Sequence, residues 1–431
     1  MHLCLRQLWL PSLALFWVVC CPQSSAQSAG PREELSQSTL ELMDFALQPP
    51  VINTNPGSEY ADTARSMNMV IGMDQSPGGR IWAAWVSGGD SELAYFVVAT
   101  SDDGGDSWSP PRLVIDPTDH PTGIARRVLV GNFWTDPDGR LWLFFDQSMG
   151  KFDGRAGVWV IRCDNPDDAA PTWTQPRRIW HGATLNKPLV MSNGEWLLPI
   201  SLWRRSQIGA SSERHRPAIA KNRIPDDFKY AFADLDDQRQ AHVFVSTDKG
   251  ETWTRRGGVE FPHFNFDEHM IVELKVKRLW MLARTQDGMY ESMSDDQGRT
   301  WSVPAFRFPH RNARFFIRRL SSGKLLLVRH GQVDEKTAQR SHLRAFLSDD
   351  DGQNWQGGLL LDDRSGISYP DGFQAADGTI RIIYDRDRYS TAEILMTAFR
   401  EEDVLAGQFK SPQSRQRVIV NRATGQPPEK P

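Results

Sequence analysis

The sequence predicts an all-β chain assembled from repeated sheet units. Three observations carry that expectation. One spelling, Ser-x-Asp-x-Gly-x-x-Trp, occurs four times, as "SDDGGDSW" from Ser101, "STDKGETW" from Ser246, "SDDQGRTW" from Ser294 and "SDDDGQNW" from Ser348. Short runs rich in β-branched and aromatic residues, among them "RIWAAWV", "YFVVATS", "RLWLFFD", "RLWMLAR" and "TIRIIYD", are bounded by turn signals such as "PDGR", "SNGE" and "ADGT". No long apolar pattern of 3.6-residue period interrupts them. Sixteen Trp among 431 residues, with many Gly, Asp and Pro, favour an all-β protein or a sugar binder.

The bulk composition narrows the function. A formal net charge of -4 argues against a nucleic-acid partner. With 39% hydrophobic and 24% charged residues the chain can build a core. At the N-terminus Arg6 precedes an apolar run from Leu8 to Cys21 that is broken by Pro11, and Ser24–Ala26 offer small residues for cleavage. Residues 1–26 therefore read as a signal peptide, and the mature chain as secreted or periplasmic, without a membrane span. Cleavage would leave Cys163 as the last cysteine, a small strand residue with no disulfide partner. Residues 27–48 read as a polar lead-in.

The four boxes start at 101, 246, 294 and 348, so the last two intervals are 48 and 54 residues, and the first, 145, is close to three such units. Periods of this size mean blades or solenoid units. Each box follows a strand and has the residues of a tight turn. Ser and Asp oxygens can accept from backbone N–H groups, Gly can take a positive φ, and the Trp is expected to bury itself between neighbouring sheets. A repeated element of this kind is architecture rather than one active site. "CDNPDDAAPTW" (163–173) is a degenerate copy. A sixth unit is expected from the strands of 379–399 together with the strand after Pro50, which would close a ring and remove the open edge. Residues 204–230 read as a long loop on one face, and 411–431 as a loose tail after a 49–410 body.

The boxes resemble the Asp boxes of the sialidase (neuraminidase) superfamily, and "FDEHMIVE", "ARFFIRRL" and "SYPDGFQAADGTI" resemble a bacterial group of secreted sialidase-like proteins. The resemblance implies a six-bladed β-propeller. It also implies a carboxylate clamped by arginines, since a guanidinium fork matches a carboxylate, and a tyrosine nucleophile activated by a glutamate. By similarity to the family's segments, "DEHMIVEL" places Glu268 as the base, "LWMLAR" and "QRSHLRAF" place Arg284 and Arg340 in the clamp, and "SYPDGFQ" places Tyr369 as the nucleophile. Asp90, or secondarily Glu92, in "WVSGGDSELAY" is the expected proton donor. The first blade departs from the family pattern: Met69 stands where an arginine is usual, and Arg65 lies four residues too early.

Further candidates for substrate contact are Asn186 and Lys187 in "ATLNKPLV", Asp146, Asp153 and Arg155 in "DQSMGKFDGR", and Arg314 or Arg318 in "ARFFIRRL". His269, pointing away from Glu268 by strand alternation, is expected to have a structural partner. No metal motif, Cys/His cluster or phosphate loop is present, so no metal or cofactor is expected. The expected protein is a monomeric, exo-acting glycoside hydrolase that takes a terminal acidic sugar from a glycan. The alternatives are a carbohydrate-binding propeller without turnover, or a lyase or neutral-sugar glycosidase on the same fold.

Overall fold

The computed structural model describes residues 35–91, 93–117, 126–149, 155–204, 227, 230–263 and 266–426. The expected signal peptide, Glu92, Asp153 and most of the 204–230 loop lie outside the described residues. Every strand among the described residues belongs to one of six antiparallel blades. Blade one holds β1 (Ile52–Asn53), β2 (Met69–Gln75), β3 (Ile81–Ser87), β4 (Tyr95–Ser101) and β5 (Leu113–Ile115). Blade two holds β6 (Arg126–Arg127), β7 (Gly131–Thr135), β8 (Leu141–Met149), β9 (Gly157–Cys163) and β10 (Arg177–Trp180). Blade three is β11 (Leu189–Val190), β12 (Trp196–Ser201), β13 (Ala241–Ser246) and β14 (Thr254–Val259), and blade four is β15 (Met270–Glu273), β16 (Leu279–Arg284), β17 (Gly288–Ser294) and β18 (Ala305–Pro309). Blade five is β19 (Phe316–Arg319), β20 (Leu325–His330), β21 (Ser341–Ser348) and β22 (Gln356–Ser365), and blade six is β23 (Ile367–Gln374), β24 (Ile380–Arg386), β25 (Glu393–Phe399) and β26 (Arg415–Arg422).

The central strands read as continuous apolar runs because neighbouring blades cover both their faces. Each core is accordingly an interface between blades. Trp134, Trp142 and Phe144 of blade two pack on Trp196, Leu198 and Phe244 of blade three. Leu197 and Val243 of blade three meet Leu279 and Met281 of blade four. The first strands touch around the axis, β2 with β7, β11 with β15, β15 with β19, β19 with β23, and β23 with β2.

All four boxes lie between the third and fourth strands of a blade. In the second box the Ser246 hydroxyl donates to Asp248 (2.7 Å) and accepts from the Gly250 N–H (2.7 Å), while Asp248 accepts from the Thr252 N–H at 2.9 Å. The box tryptophans Trp108, Trp253, Trp301 and Trp355 are only half-buried. They pack on the cores between blades from the rim, Trp253 against Phe144 and Trp355 against Phe308, while strand tryptophans such as Trp82, Trp142 and Trp280 are fully buried there. Two box glycines fit against strand tryptophans of the preceding blade: a methyl group would lie 2.8 Å from Trp142 at Gly250 and 2.4 Å from Trp280 at Gly352 (φ +85°).

Three expectations about the chain ends are corrected. The sixth blade takes no strand from the region after Pro50, because β26 supplies its fourth strand and β1 pairs with β5 of blade one. Residues 415–422 are therefore an edge strand rather than a loose tail; an edge needs only one apolar face, and Val420 is buried in a core shared with Met396 and with Val70 and Trp85 of blade one, while Ile419 is exposed. The ring closes through the segment after β26, where the Thr424 and Gly425 N–H groups donate to the Asp62 and Arg65 carbonyls at 2.8 and 2.7 Å, and through side chains. Asn68 donates to Asn421 (2.9 Å) and to the Ala392 carbonyl (3.0 Å), and Arg65 donates to Asn421 at 2.9 Å. The lead-in also contains a helix, α1 (Gln37–Ala46), capped by Ser36 and burying Leu42, Phe45 and Ala46 against Phe232 and Met149. A second short helix, α2 (Glu401–Ala406), joins β25 to β26.

Gly352→Ala is expected to cost about 2 kcal/mol or more, from the left-handed backbone and the indole overlap together. Gly194→Ala, where φ is +87° and no atom lies within 4 Å, should cost only the backbone part. Urea midpoints of the two variants check this; equal losses would remove the blade-to-blade fit from the account.

Candidate active site

The antiparallel meander decides which residues meet. The start of each first strand, the end of the second and the start of the third lie at one end of the ring, as the Met270–Leu282, Arg284–Met289 and Ser368–Asp385 pairings show. The boxes lie at the other end. Glu268 stands just before β15, Arg284 ends β16, Arg340 precedes β21, Tyr369 lies in β23 and Arg388 follows β24.

These residues form one cluster. The Tyr369 hydroxyl donates to Glu268 Oε1 at 3.1 Å, across 101 positions of sequence. Arg284 Nη1 donates to Glu268 Oε2 at 2.7 Å, and its Nε to Asn312 Oδ1 at 2.6 Å. Arg340 donates to the Ser368 hydroxyl (2.9 Å) and to the Asn312 carbonyl (3.0 Å). The Arg388 guanidinium lies over the Tyr369 ring, 4.4 Å from its centroid, and is held by Asp385 Oδ1 at 3.0 Å. Arg340 lies 5.9 Å from the same ring. A cavity of about 420 Å³ opens beside the cluster, lined by Arg340, Ser368, Arg388, Tyr389 and Asp387.

The electrostatics suit an anion. Arg284 is neutralised by Glu268, and Arg388 by Asp385. Arg340 has no carboxylate in ion-pair reach among the described residues, and burial, then Arg388 and Arg284, pull its pKa below the ordinary guanidinium value. Burial and the Glu268 carboxylate raise the Tyr369 phenol above its usual value, while the three arginines pull it the other way. The phenol is thus protonated at neutral pH. Behind the cluster His330 donates to the Ile367 carbonyl at 2.9 Å; burial holds its pKa at about 3, so it adds no further positive charge. Glu268 (φ +33°) and Tyr369 (φ +53°) both have left-handed backbone. That costs on the order of 1–3 kcal/mol each and persists only where the surroundings enforce it.

The sequence reading missed Arg388, Asn312 and Asp385. The first blade has no clamp arginine: Met69 is buried in β2, and Arg65 is spent on Asn68, Asn421, the Tyr60 carbonyl and Asp62. The third guanidinium comes from blade six instead, two residues past β24. The only available signal was the charged turn "YDRDRYS". Asp90 sits at the rim, its backbone N–H bonded to the Tyr389 hydroxyl at 2.9 Å and its carboxylate 3.6 Å from Arg388.

Four expected substrate contacts are engaged within the protein instead. Lys187 donates to the Met73 and Phe133 carbonyls (2.6 Å each) and pairs with Asp74 and Asp371 at 3.2 and 3.3 Å. Asn186 donates to the carbonyls of Glu268 and His269 at 2.9 Å. Arg314 donates to Asn186 and the Ile71 carbonyl and lies 3.5 Å from Asp371. Asp146 accepts from the Leu129 and Val130 N–H groups at 2.9 Å. All four are buried because they tie blades or loops together, which leaves them no free donor or acceptor for a sugar. Arg155 is likewise bound to the Ala231 carbonyl and Asp234. His269 donates to the His242 carbonyl (2.8 Å) and accepts from Ser201 (3.1 Å). Cys163 is buried, which pushes its thiol up to about 11. No group of three or more metal-ligating side chains occurs among the described residues.

A family model described as a BNR repeat-like domain matches residues 79–382. Solved structures share the fold at low identity. A Hadza microbial sialidase, Hz136, aligns with a TM-score of 0.58 and 17% identity over 80% of this chain and 69% of its own. The intramolecular trans-sialidase of Ruminococcus gnavus, solved with oseltamivir carboxylate, gives 0.57 and 13% over 81% and 98%. A protein of unknown function from Dyadobacter fermentans gives 0.53 and 15% over 77% and 94%. No curated protein sequence matches the chain.

Asp267, next to Glu268 in the chain, is fully buried, with Ser201 and Trp203 beside its carboxyl group. Burial pushes its pKa up to about 7, Glu268 adds to the rise, and the neighbouring Ser201 and Trp203 offset only part of it. A folded-state value raised above the unfolded one, about 4, gives stability that is present below pH 4 and lost as pH climbs through 7. Asp267→Asn stays neutral throughout. The stability difference between variant and parent should therefore grow in the variant's favour from pH 4 to 7 and level off above. Urea melts across that range test it, and a pH-independent difference would refute it.

Proposed function

We propose that this chain, which belongs to the BNR repeat-like domain family, is an exo-acting glycoside hydrolase of sialidase type. Its substrate is a glycan ending in an acidic sugar with a carboxylate beside the anomeric carbon. One observation carries the reading: the phenol of Tyr369 is hydrogen-bonded at 3.1 Å to a carboxylate that a buried arginine holds in place.

Arg340, the guanidinium without an acidic partner, seats the substrate carboxylate, and Arg284 and Arg388 flank it. A neutral phenol can approach this anion where an Asp or Glu nucleophile would be repelled. Glu268 removes the phenolic proton as the Tyr369 oxygen bonds to the anomeric carbon. The bond to the leaving oxygen breaks with its electron pair, and that oxygen takes a proton from Asp90. Water, losing its proton to Asp90, then attacks the anomeric carbon. The Tyr369–sugar bond breaks, and Tyr369 recovers its proton from Glu268. The Arg388 cation over the ring stabilises the phenolate character that grows as the proton leaves. The absent first-blade arginine, which would favour a binding-only ring, is offset by Arg388.

An aryl α-sialoside supplies the test. Release of sugar and phenol is expected, and Tyr369→Phe or Glu268→Gln should lower kcat by roughly 10³-fold or more. Arg340→Gln should mainly raise KM. Turnover by Tyr369→Phe at the parent rate would end the proposal. Retention of sialoside without any product would leave a binding protein in its place.

A further inference from the structure

A second cavity lies at the opposite end of the ring, where the boxes are. It holds about 410 Å³ between the first strands of blades three, four and five. Its walls are largely apolar, with Leu189, Met270, Phe316 and Ile317 among them, and Lys187 and Asp371 close its inner end. Those two residues, with Arg314 and Asn186, separate it from Tyr369.

The charges at its mouth are unequal. Glu273 is occupied by the Ser192 N–H and hydroxyl, at 2.7 and 2.8 Å. Arg319 is taken by Asp351 and the Glu273 carbonyl. Lys275 is bonded to the Asp349 carbonyl. The side chains of two cations lining the cavity, Arg318 and Lys277, make no hydrogen bond or ion pair among the described residues. Arg318 is only partly accessible, so its uncompensated charge is held at the entrance of an apolar pocket. Sequence reading left open whether Arg314 or Arg318 faced the catalytic end; Arg318 lies at the other.

The geometry points to a binding site for a small amphiphilic organic anion, an aryl or alkyl carboxylate in chemical class. The volume falls in the range of small-molecule sites and is too small for a macromolecule. The apolar body would fill the space between Met270, Phe316 and Ile317. The carboxylate would meet the planar fork of Arg318, whose donors match it bidentately, with Lys277 as a second positive charge. This site stands apart from the glycosidase reading and needs no turnover to be tested.

The probe is 4-phenylbutyrate, titrated calorimetrically into the full protein beside its neutral counterpart 4-phenylbutanol. Saturable binding of the carboxylate is expected, with the alcohol at least about tenfold weaker. Arg318→Gln should weaken the carboxylate by about tenfold or more and leave the alcohol unchanged, and Lys277→Gln should give a smaller loss of the same kind. Arg340→Gln, at the catalytic end, should leave both unchanged. Thermal midpoints verify that each variant is folded, as partly or fully exposed positions allow. Absence of saturable binding, equal affinity for acid and alcohol, or loss of binding in Arg340→Gln rather than Arg318→Gln would each overturn the proposal.

Discussion

The structure depends on one buried carboxylate. Asp371, only 1% exposed, sits on the axis between two cations, Lys187 at 3.3 Å and Arg314 at 3.5 Å, and accepts from the Met73 N–H at 3.0 Å and the Asn132 side chain at 3.2 Å. Lys187 reaches blades one and two, Arg314 reaches blades one and three, and Asn186 reaches the segment that opens blade four. All six blades thus meet in one network. Charges buried this deeply lose their hydration, and only a full set of partners offsets that loss. Space is part of the device: a methyl group on Gly72 would lie 2.7 Å from both Asn132 and Asp371.

The network also positions the site. Asp371 is two residues from Tyr369, and Asn186 grips the carbonyl of Glu268. The left-handed backbone at Glu268 and Tyr369 is therefore held from the axis side, where the chain cannot relax. This places the strain next to the residues that would share a proton, with the compensation in the ion pairs behind them. The arginines are arranged by the same logic. Two have carboxylate partners that fix their forks, and Arg340 is fixed by Ser368 and Asn312 through neutral groups, which leaves its charge available to an anion.

Much of the scaffold was legible. Serine, aspartate and glycine in each box have local bonding requirements that a turn satisfies within eight residues, and strand runs covered on two faces are apolar throughout. The edge strand β26 and the helix α1 were not legible, because each buries one face against a partner distant in sequence. At the site, Glu268, Arg284, Arg340 and Tyr369 were visible through motif resemblance. Arg388 was not, since its role follows from Asp385 and from the ring of Tyr369, and the first blade drew attention to the wrong end of the chain. Lys187 and Arg314 were read as reaching a sugar because a cation near a pocket looks the same in sequence whether its partner is a ligand or a buried aspartate.

By itself the sequence determined the repeating turn and the strand-rich blades, because those depend on residues within hydrogen-bonding or pairing distance along the chain. Tertiary structure alone decided which cations stay paired and which remain open, that the third guanidinium comes from blade six, and that two cavities sit at opposite ends of one axis. These outcomes depend on ring closure, which sets distances between residues hundreds of positions apart, and no local preference encodes that.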